Sequence, residues 1–298
     1  MQKNNPTFSL VIIGFNTAHE LGQLLKSINQ VKYDIKNLEI IYIDDGSTDP
    51  SLQTFNNYDL RFQKKSFGFT QNKGRVFATQ KGIDIAKNEW VLFIQSNMKI
   101  NFNILQSYAK AIMKSEGVAF GGTIDYQSSD LQFTKYLNNI GRGIKQYRQY
   151  EIIQYRHLLF GNAVIKKSIF DEISLNCQLK HYGGEELEFA FRLNQKYPNK
   201  IISCIDAKTT RINHPPLIKH YKRLIEFGKY NFPLLNKELQ QTIIKYQLFI
   251  IWKNYLKWPI IILNKILLNL YYIGIKPLIV IKLILFTSLL RGYYSKAS

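Results

Sequence analysis

Two carboxylate clusters carry most of the chemical interest of this 298-residue chain. The first is Glu39-Ile-Ile-Tyr-Ile-Asp44-Asp45-Gly46-Ser47-Thr48-Asp49. An apolar run ends there in two acids and a Gly-Ser turn. A carboxylate so placed can accept hydrogen bonds from a base N–H or a ribose hydroxyl. The same residues could instead form an ordinary turn that caps the next helix through Asp49. On residue types alone both readings stay open. The second cluster is Gly183-Gly184-Glu185-Glu186-Leu-Glu188. Acids opening a helix sit among free N–H groups that favour the ionised form, and charge complementarity by itself would also explain them. His214, just before Pro215-Pro216, reads on its own as a loop residue. The other four histidines have no motif of their own.

These residues need elements to position them. From Phe8 to about Phe120, apolar runs alternate with amphipathic stretches. Strands are predicted at 8–15, 38–43, weakly at 60–63, at 90–94 and near Val118. Helices are predicted at 20–29, 72–87 and 103–115. That alternation calls for βαβ units and a mostly parallel sheet, whose ligands sit beyond the carboxyl ends of the strands. Residues just after Phe15, Ile43 and Ile94 are therefore the first place for chemistry. Residues 123–156 are polar and rich in Tyr and Gln, which suggests irregular or hairpin structure. A strand at 157–165, a helix at 185–196 and a last strand at 200–205 follow, before Asn213-His214-Pro215-Pro216 interrupts regular structure.

Composition excludes several classes. With 46% hydrophobic and 14% aromatic residues the chain is too apolar to be disordered. Its two cysteines, Cys177 and Cys204, cannot form a disulfide framework and fit a reducing compartment. No charged leader with an apolar core precedes Phe8, so a cleaved secretion signal is not expected.

The net charge of +19 points to a polyanionic partner. Residues 208–298 hold 15 basic and 2 acidic side chains, a net of +13, which leaves +6 for the first 207. From Tyr246 to Tyr294, Ile, Leu and aromatics are punctuated by Lys253, Lys257, Lys265, Lys276, Lys282 and Arg291. The longest uncharged run, 266–275, is 10 residues, against the ~18–20 needed to cross a bilayer. Apolar faces dotted with Lys, together with Trp252 and Trp258, predict helices lying in an anionic membrane interface. A helical subdomain packed on the sheet is the competing reading. Basic residues interleaved with bulky aliphatics, and the lack of a recognised nucleic-acid module, argue against nucleic acid.

Several pieces, taken in order, resemble the family 2 glycosyltransferases of the GT-A fold. They are Ser9-Leu-Val-Ile-Ile-Gly-Phe-Asn16, the Asp44-Asp45-Gly46-Ser47 turn, Asn72-Lys73-Gly74 and the strand at 90–94. Phe160-Gly161-Asn162 with the helix after it, and the block from His181 to Arg192, complete the set. The resemblance spans roughly residues 7–215, which makes 216–298 a separate basic, apolar helical region. It implies inverting sugar transfer from a nucleotide-diphosphate donor to a glycan or lipid-linked acceptor. The setting implied is a cell envelope, at the cytoplasmic face of the membrane.

Under this resemblance Asp44 matches the base-contacting aspartate, with Phe15, Asn16, Asp45, Lys73, Gln95, Ser96 and Asn97 lining the donor pocket. Gly161, Asn162, Gly184 and Glu185 fall on the acceptor side. Glu186 falls where the family keeps its general base, which must take the acceptor's proton as its hydroxyl attacks the anomeric carbon. One motif departs. The metal-binding Asp-X-Asp reads Gln95-Ser96-Asn97, and Mg²⁺ or Mn²⁺ on a diphosphate normally wants a carboxylate. Three outcomes remain open. Cations such as Lys73, Arg75 or Lys99 replace the metal; Asn97 and His214 bind one weakly; or only the fold survives, in a binding or assembly subunit.

Overall fold

The computed structural model describes residues 5–244 and 253–295; the expected anchor Trp252 lies outside them. Its strands are β1 (Phe8–Gly14), β2 (Leu38–Asp44), β3 (Gln63–Gly68), β4 (Trp90–Gln95), β5 (Met98–Ile100), β6 (Ala119–Tyr126), β7 (Ala163–Lys166) and β8 (Ile201–Arg211). They form one sheet in the order β3-β2-β1-β4-β7-β6-β8-β5. β3, β2, β1 and β4 run parallel, β7 is antiparallel to both neighbours, and β6 and β8 are parallel. This mixed, mostly parallel sheet is flanked by helices, as the alternating pattern predicts.

The apolar runs of β1, β2 and β4 are buried almost throughout because helices cover both faces. Helix α1 (Ala18–Asn29) turns Leu21, Leu24, Leu25 and Ile28 to one face, while α3 (Arg75–Ile85) turns Val76 and Ile83 to the other. Between them lie the short helix α2 (Ser51–Asn57) and, beyond, α4 (Ile104–Lys114). An acid is buried within the sheet, on β2. Glu39 accepts from Ser9 Oγ at 2.6 Å, Lys65 Nζ at 2.7 Å and the Lys87 N–H at 2.7 Å. Burial opposes its charge, but these donors still hold it below the usual carboxylate range.

Four expectations need correction. The third strand is Gln63–Gly68 rather than 60–63: Leu60 and Phe62 plug the core from a loop, and the strand is a polar, lysine-bearing edge. The 123–156 segment is partly regular. β6 runs on to Tyr126, and α5 (Leu131–Leu137) is capped by Asp130, which accepts from the Phe133 N–H at 3.1 Å. Of the strand expected at 157–165, only β7 forms. The last strand runs on to Arg211 because its polar outer half pairs with β5, a strand not foreseen.

The C-terminal helices pack on this body. They are α8 (Leu217–Tyr230), α9 (Lys237–Ile243), α10 (Lys253–Tyr272) and α11 (Leu278–Ser295), preceded by α6 (Ile169–Glu172) and α7 (Glu185–Lys196). One apolar cluster joins Phe191 of α7 to Phe227, Ile260 and Leu290. Another joins Phe133 and Tyr136 of α5 to Tyr221, Leu267 and Ile284. Helices α8 and α11 cross almost backbone to backbone. A Cβ on Gly228 would stand 2.1 Å from the Leu289 carbonyl oxygen, and one on Gly292 2.0 Å from that of Ile225. Helix α11 alone, among the described residues, is long and apolar enough to cross a membrane (mean hydropathy 1.4), and half of it is buried in the protein.

Candidate active site

A cleft of about 520 Å³ opens at the carboxyl ends of β1, β2 and β4, where a sheet of this kind holds its ligand. A larger hollow of about 660 Å³, beside Gln30–Asp34 and Lys110, lies away from those strand ends. The floor of the cleft comes from Gly14 at the end of β1 with Phe15 and Thr17 after it, Asp45 after β2, and Gln95 at the end of β4 with Ser96 and Asn97 after it. Phe15 is 44% exposed at its lip.

The Asp44-Asp45-Gly46 turn is built from the backbone. Gly46 has φ +75°, and a Cβ there would lie 2.2 Å from the carbonyl carbon of Gln71. Asp44 accepts from the Ser47 N–H at 2.9 Å and the Tyr42 hydroxyl at 3.2 Å. Asp45 accepts from the Lys73 N–H at 2.8 Å and the Gly74 N–H at 3.1 Å. Burial pushes Asp45 above its ordinary range while those N–H groups pull against it. Asn16, at φ +52°, accepts from the Thr48 N–H at 2.8 Å and so ties the β1 loop to the Asp-Gly turn. Asn16, Asp44 and Lys73 stand beside the cleft without lining it.

The opposite wall starts at Gly184, whose φ of +94° precedes α7. Glu185 lines the cleft; one of its oxygens pairs with Arg75 Nε and the other, Oε2, is buried without a partner. Glu186 accepts from Arg75 Nη1 at 2.7 Å and from the Phe160 N–H at 3.0 Å. Burial raises its proton affinity, opposed by Arg75 and reinforced by Glu185. Each carboxylate oxygen carries two lone pairs, so Glu186 keeps acceptor capacity beyond these bonds. Asp45, Arg75 and Glu185 thus meet in one cleft, with Asp44 and Glu186 directly behind. Among the acceptor-side expectations, Asn162 needs correcting. It is fully buried, donating to Thr123 O and Ala207 O and accepting from Tyr108, so it braces the sheet. Gly161 is buried too, close under Met98 and Ile124.

The cations are not those expected. Lys73 and Lys99 are exposed and do not line the cleft, and Arg75 is committed to Glu185 and Glu186. Lys180, Arg211 and Arg223 line it instead. Arg211 was hidden because it ends the long strand β8, beyond the point where the apolar pattern stops. Arg223 and Glu226 come from α8, so the site crosses the boundary drawn at residue 215.

The donor set suits a divalent metal poorly. Among the described residues no three of His, Cys, Asp and Glu group to hold one. Asn97 is neutral. His214 is buried against Tyr126, Phe133 and His220 and does not line the cleft. Burial first, then Arg211 and His220, hold His214 at about 3, so its surroundings already repel a proton.

A family model described as glycosyl transferase family 2 matches residues 9–174, more than half of the chain. The chain belongs to this family. The family 2 glycosyltransferase is 23% identical to glycosyltransferase GlyG of Streptococcus pneumoniae, over 74% of this chain and 89% of GlyG. It spans only about half the length of two Haemophilus influenzae glycosyltransferases that it also matches. In structure it overlays TarS 1–349 of S. aureus, solved with UDP-GlcNAc, at a TM-score of 0.57 and 14% identity, covering 97% of this chain and 90% of that one. It overlays a Pyrobaculum calidifontis mannosyltransferase, solved with GDP-Man and Mn²⁺, at 0.56 and 14% identity, covering 78% and 64%. The fold is GT-A.

Proposed function

We propose that this glycosyltransferase moves a sugar, with inversion, from a nucleotide-diphosphate donor to a hydroxyl on a cell-envelope glycan or lipid-linked acceptor. The observation that carries the reading is that Asp45 and Glu185 line one cleft, with Arg75 between them reaching both Glu185 and Glu186. The nucleoside would lie on the β1–β2 side against Phe15, with Asp44 and Asp45 toward base and ribose. The acceptor would enter on the α7 side. Its hydroxyl oxygen bonds to the anomeric carbon as the carbon–phosphate-oxygen bond breaks. That electron pair leaves on the diphosphate, and the hydroxyl proton passes to Glu186. A carboxylate whose proton affinity is raised is better matched to this task near neutral pH. Arg75 fixes the orientation of Glu186.

The envelope setting draws on the relatives, one of which is a poly(ribitol-phosphate) β-N-acetylglucosaminyltransferase. It draws also on the C-terminal helices. Tyr255, Trp258, Ile262 and Ile266 form an exposed stripe at helical spacing along α10, continued by Ile273, Ile275 and Ile279. Lys265 and Lys282 stand exposed beside it. Such a face suits shallow insertion at the cytoplasmic surface of an anionic bilayer.

Transfer assays over a panel of nucleotide sugars test the reaction, with Glu186→Gln and Glu185→Gln compared. Full activity in Glu186→Gln would refute its role as base, and selective loss in Glu185→Gln would move that role to Glu185. A protein that binds nucleotides but transfers no sugar would support the alternative, a non-catalytic binding or assembly subunit, which Gln95-Ser96-Asn97 favours. Co-sedimentation with phosphatidylglycerol but not phosphatidylcholine vesicles tests the membrane face.

A further inference from the structure

Arg211 stands where β8 meets β5, in register with Met98, and the Ile212 N–H next to it donates to the Asn97 carbonyl at 3.0 Å. The arginine is therefore fixed by sheet hydrogen bonding one residue from the position where a metal-binding carboxylate would be expected. Its Nε is buried without a hydrogen-bond partner. Among the described residues neither Arg211 nor Arg223 has a carboxylate within ion-pair distance, whereas Arg75 has two. Arg223 is held from α8 with its guanidinium 5.1 Å from the centre of the Tyr182 ring. Both arginines line the cleft.

Arg211 and Arg223 are each half-buried without a carboxylate partner, an arrangement that favours an anion as the missing counter-charge. A divalent metal placed beside Asn97 would add two positive charges where two unpaired arginines already stand.

Resting on the nucleotide-sugar reading above, we propose that Arg211 and Arg223 bind the donor diphosphate directly and take the place of the divalent metal. Guanidinium forks match phosphate oxygens bidentately and keep their charge at every working pH. As the sugar leaves, the charge that builds on the diphosphate falls between groups already oriented toward it. Lys73, Arg75 and Lys99 are not needed for this. One is tied up with the glutamates and the other two lie outside the cleft.

Calorimetric binding of UDP, GDP, CDP, ADP and dTDP to the full chain, in EDTA and in Mn²⁺, tests the proposal. The nucleotide that binds is expected to do so with affinities in EDTA and Mn²⁺ that agree within about twofold. Arg211→Gln and Arg223→Gln should each weaken it about tenfold or more, and Arg211→Lys should weaken it less than Arg211→Gln. Binding that requires Mn²⁺ overturns the arginine proposal and leaves the glycosyltransferase reading intact. Unchanged affinity in folded Arg211→Gln does the same. If no nucleoside diphosphate binds under either condition, both readings fall. The wild-type comparison stands even if a variant does not fold.

Discussion

Arg75 Nη1 lies 2.7 Å from Oε1 of Glu186, and the same guanidinium reaches Glu185 through Nε. One cation therefore holds two adjacent carboxylates at the mouth of α7. Replacing it leaves two acids side by side in a buried place.

Arg75→Met should lower stability by about 2 kcal/mol at pH 7.5, less than for a fully buried pair because Arg75 is about one-third exposed. Glu186 binds its proton more tightly folded than unfolded, so its ionisation costs stability as pH rises through the window above the ordinary carboxylate value. Without Arg75 this penalty grows. Urea denaturation at pH 5 should therefore show a smaller deficit than at pH 7.5; an equal deficit would rule the explanation out.

Gly46→Ala puts a methyl group into the Gln71 backbone at a positive φ. We expect a loss of about 2 kcal/mol or more and weakened nucleotide binding, because the Asp45 contacts to the Lys73 and Gly74 N–H groups depend on that turn. Gly22, a helix-surface glycine with open space around it, is the control: Gly22→Ala should be neutral or slightly stabilising.

His214 and His220 stay neutral when folded because burial and nearby arginines disfavour the imidazolium. The unfolded chain takes up their protons near pH 6.5, so stability is lost as pH falls from there. For His214, held at about 3, the loss between pH 6.5 and 4 is on the order of 3 kcal/mol. His214→Phe should flatten the stability curve over that interval. A parallel curve in the variant would contradict the assignment.

Phe15→Ala should weaken nucleotide binding by on the order of tenfold, the effect of losing one stacked base, while Phe15→Tyr should retain it. Titration of whichever nucleoside diphosphate binds the wild type reads both variants. Equal affinity in Phe15→Ala would remove the base from the β1 lip.

Legibility in the sequence followed burial. β1, β2 and β4 are mostly apolar because helices cover both faces, and their ends could be read within a residue or two. Helix α7 matched over its whole length, since its acids mark the start and its apolar spacing the body. The Asp44-Asp45-Gly46 turn and Glu185-Glu186 were visible as motifs. The edge strand β3 and the outer half of β8 were not, because β3 is at least partly exposed along its length and the outer half of β8 mixes buried with exposed side chains, so neither shows a continuous apolar run. The cleft cations were missed for the same reason. Arg211 follows a polar strand end, and Arg223 belongs to a helix that local patterning cannot assign to any cleft. The burial of Asn162 rests on Tyr108, Thr123 and Ala207, distant in sequence, and no local signal marks it.

The crossing at Gly228 and Gly292 has a mechanical meaning for the cleft. At those two positions main chain meets main chain, with no side chain between to act as a cushion. The helix that carries Arg223 is thereby closely coupled to the helix whose first turns leave Ile279 and Leu283 exposed. A force that tilts the outer rim therefore has little cushioning to absorb it before it displaces the guanidinium within.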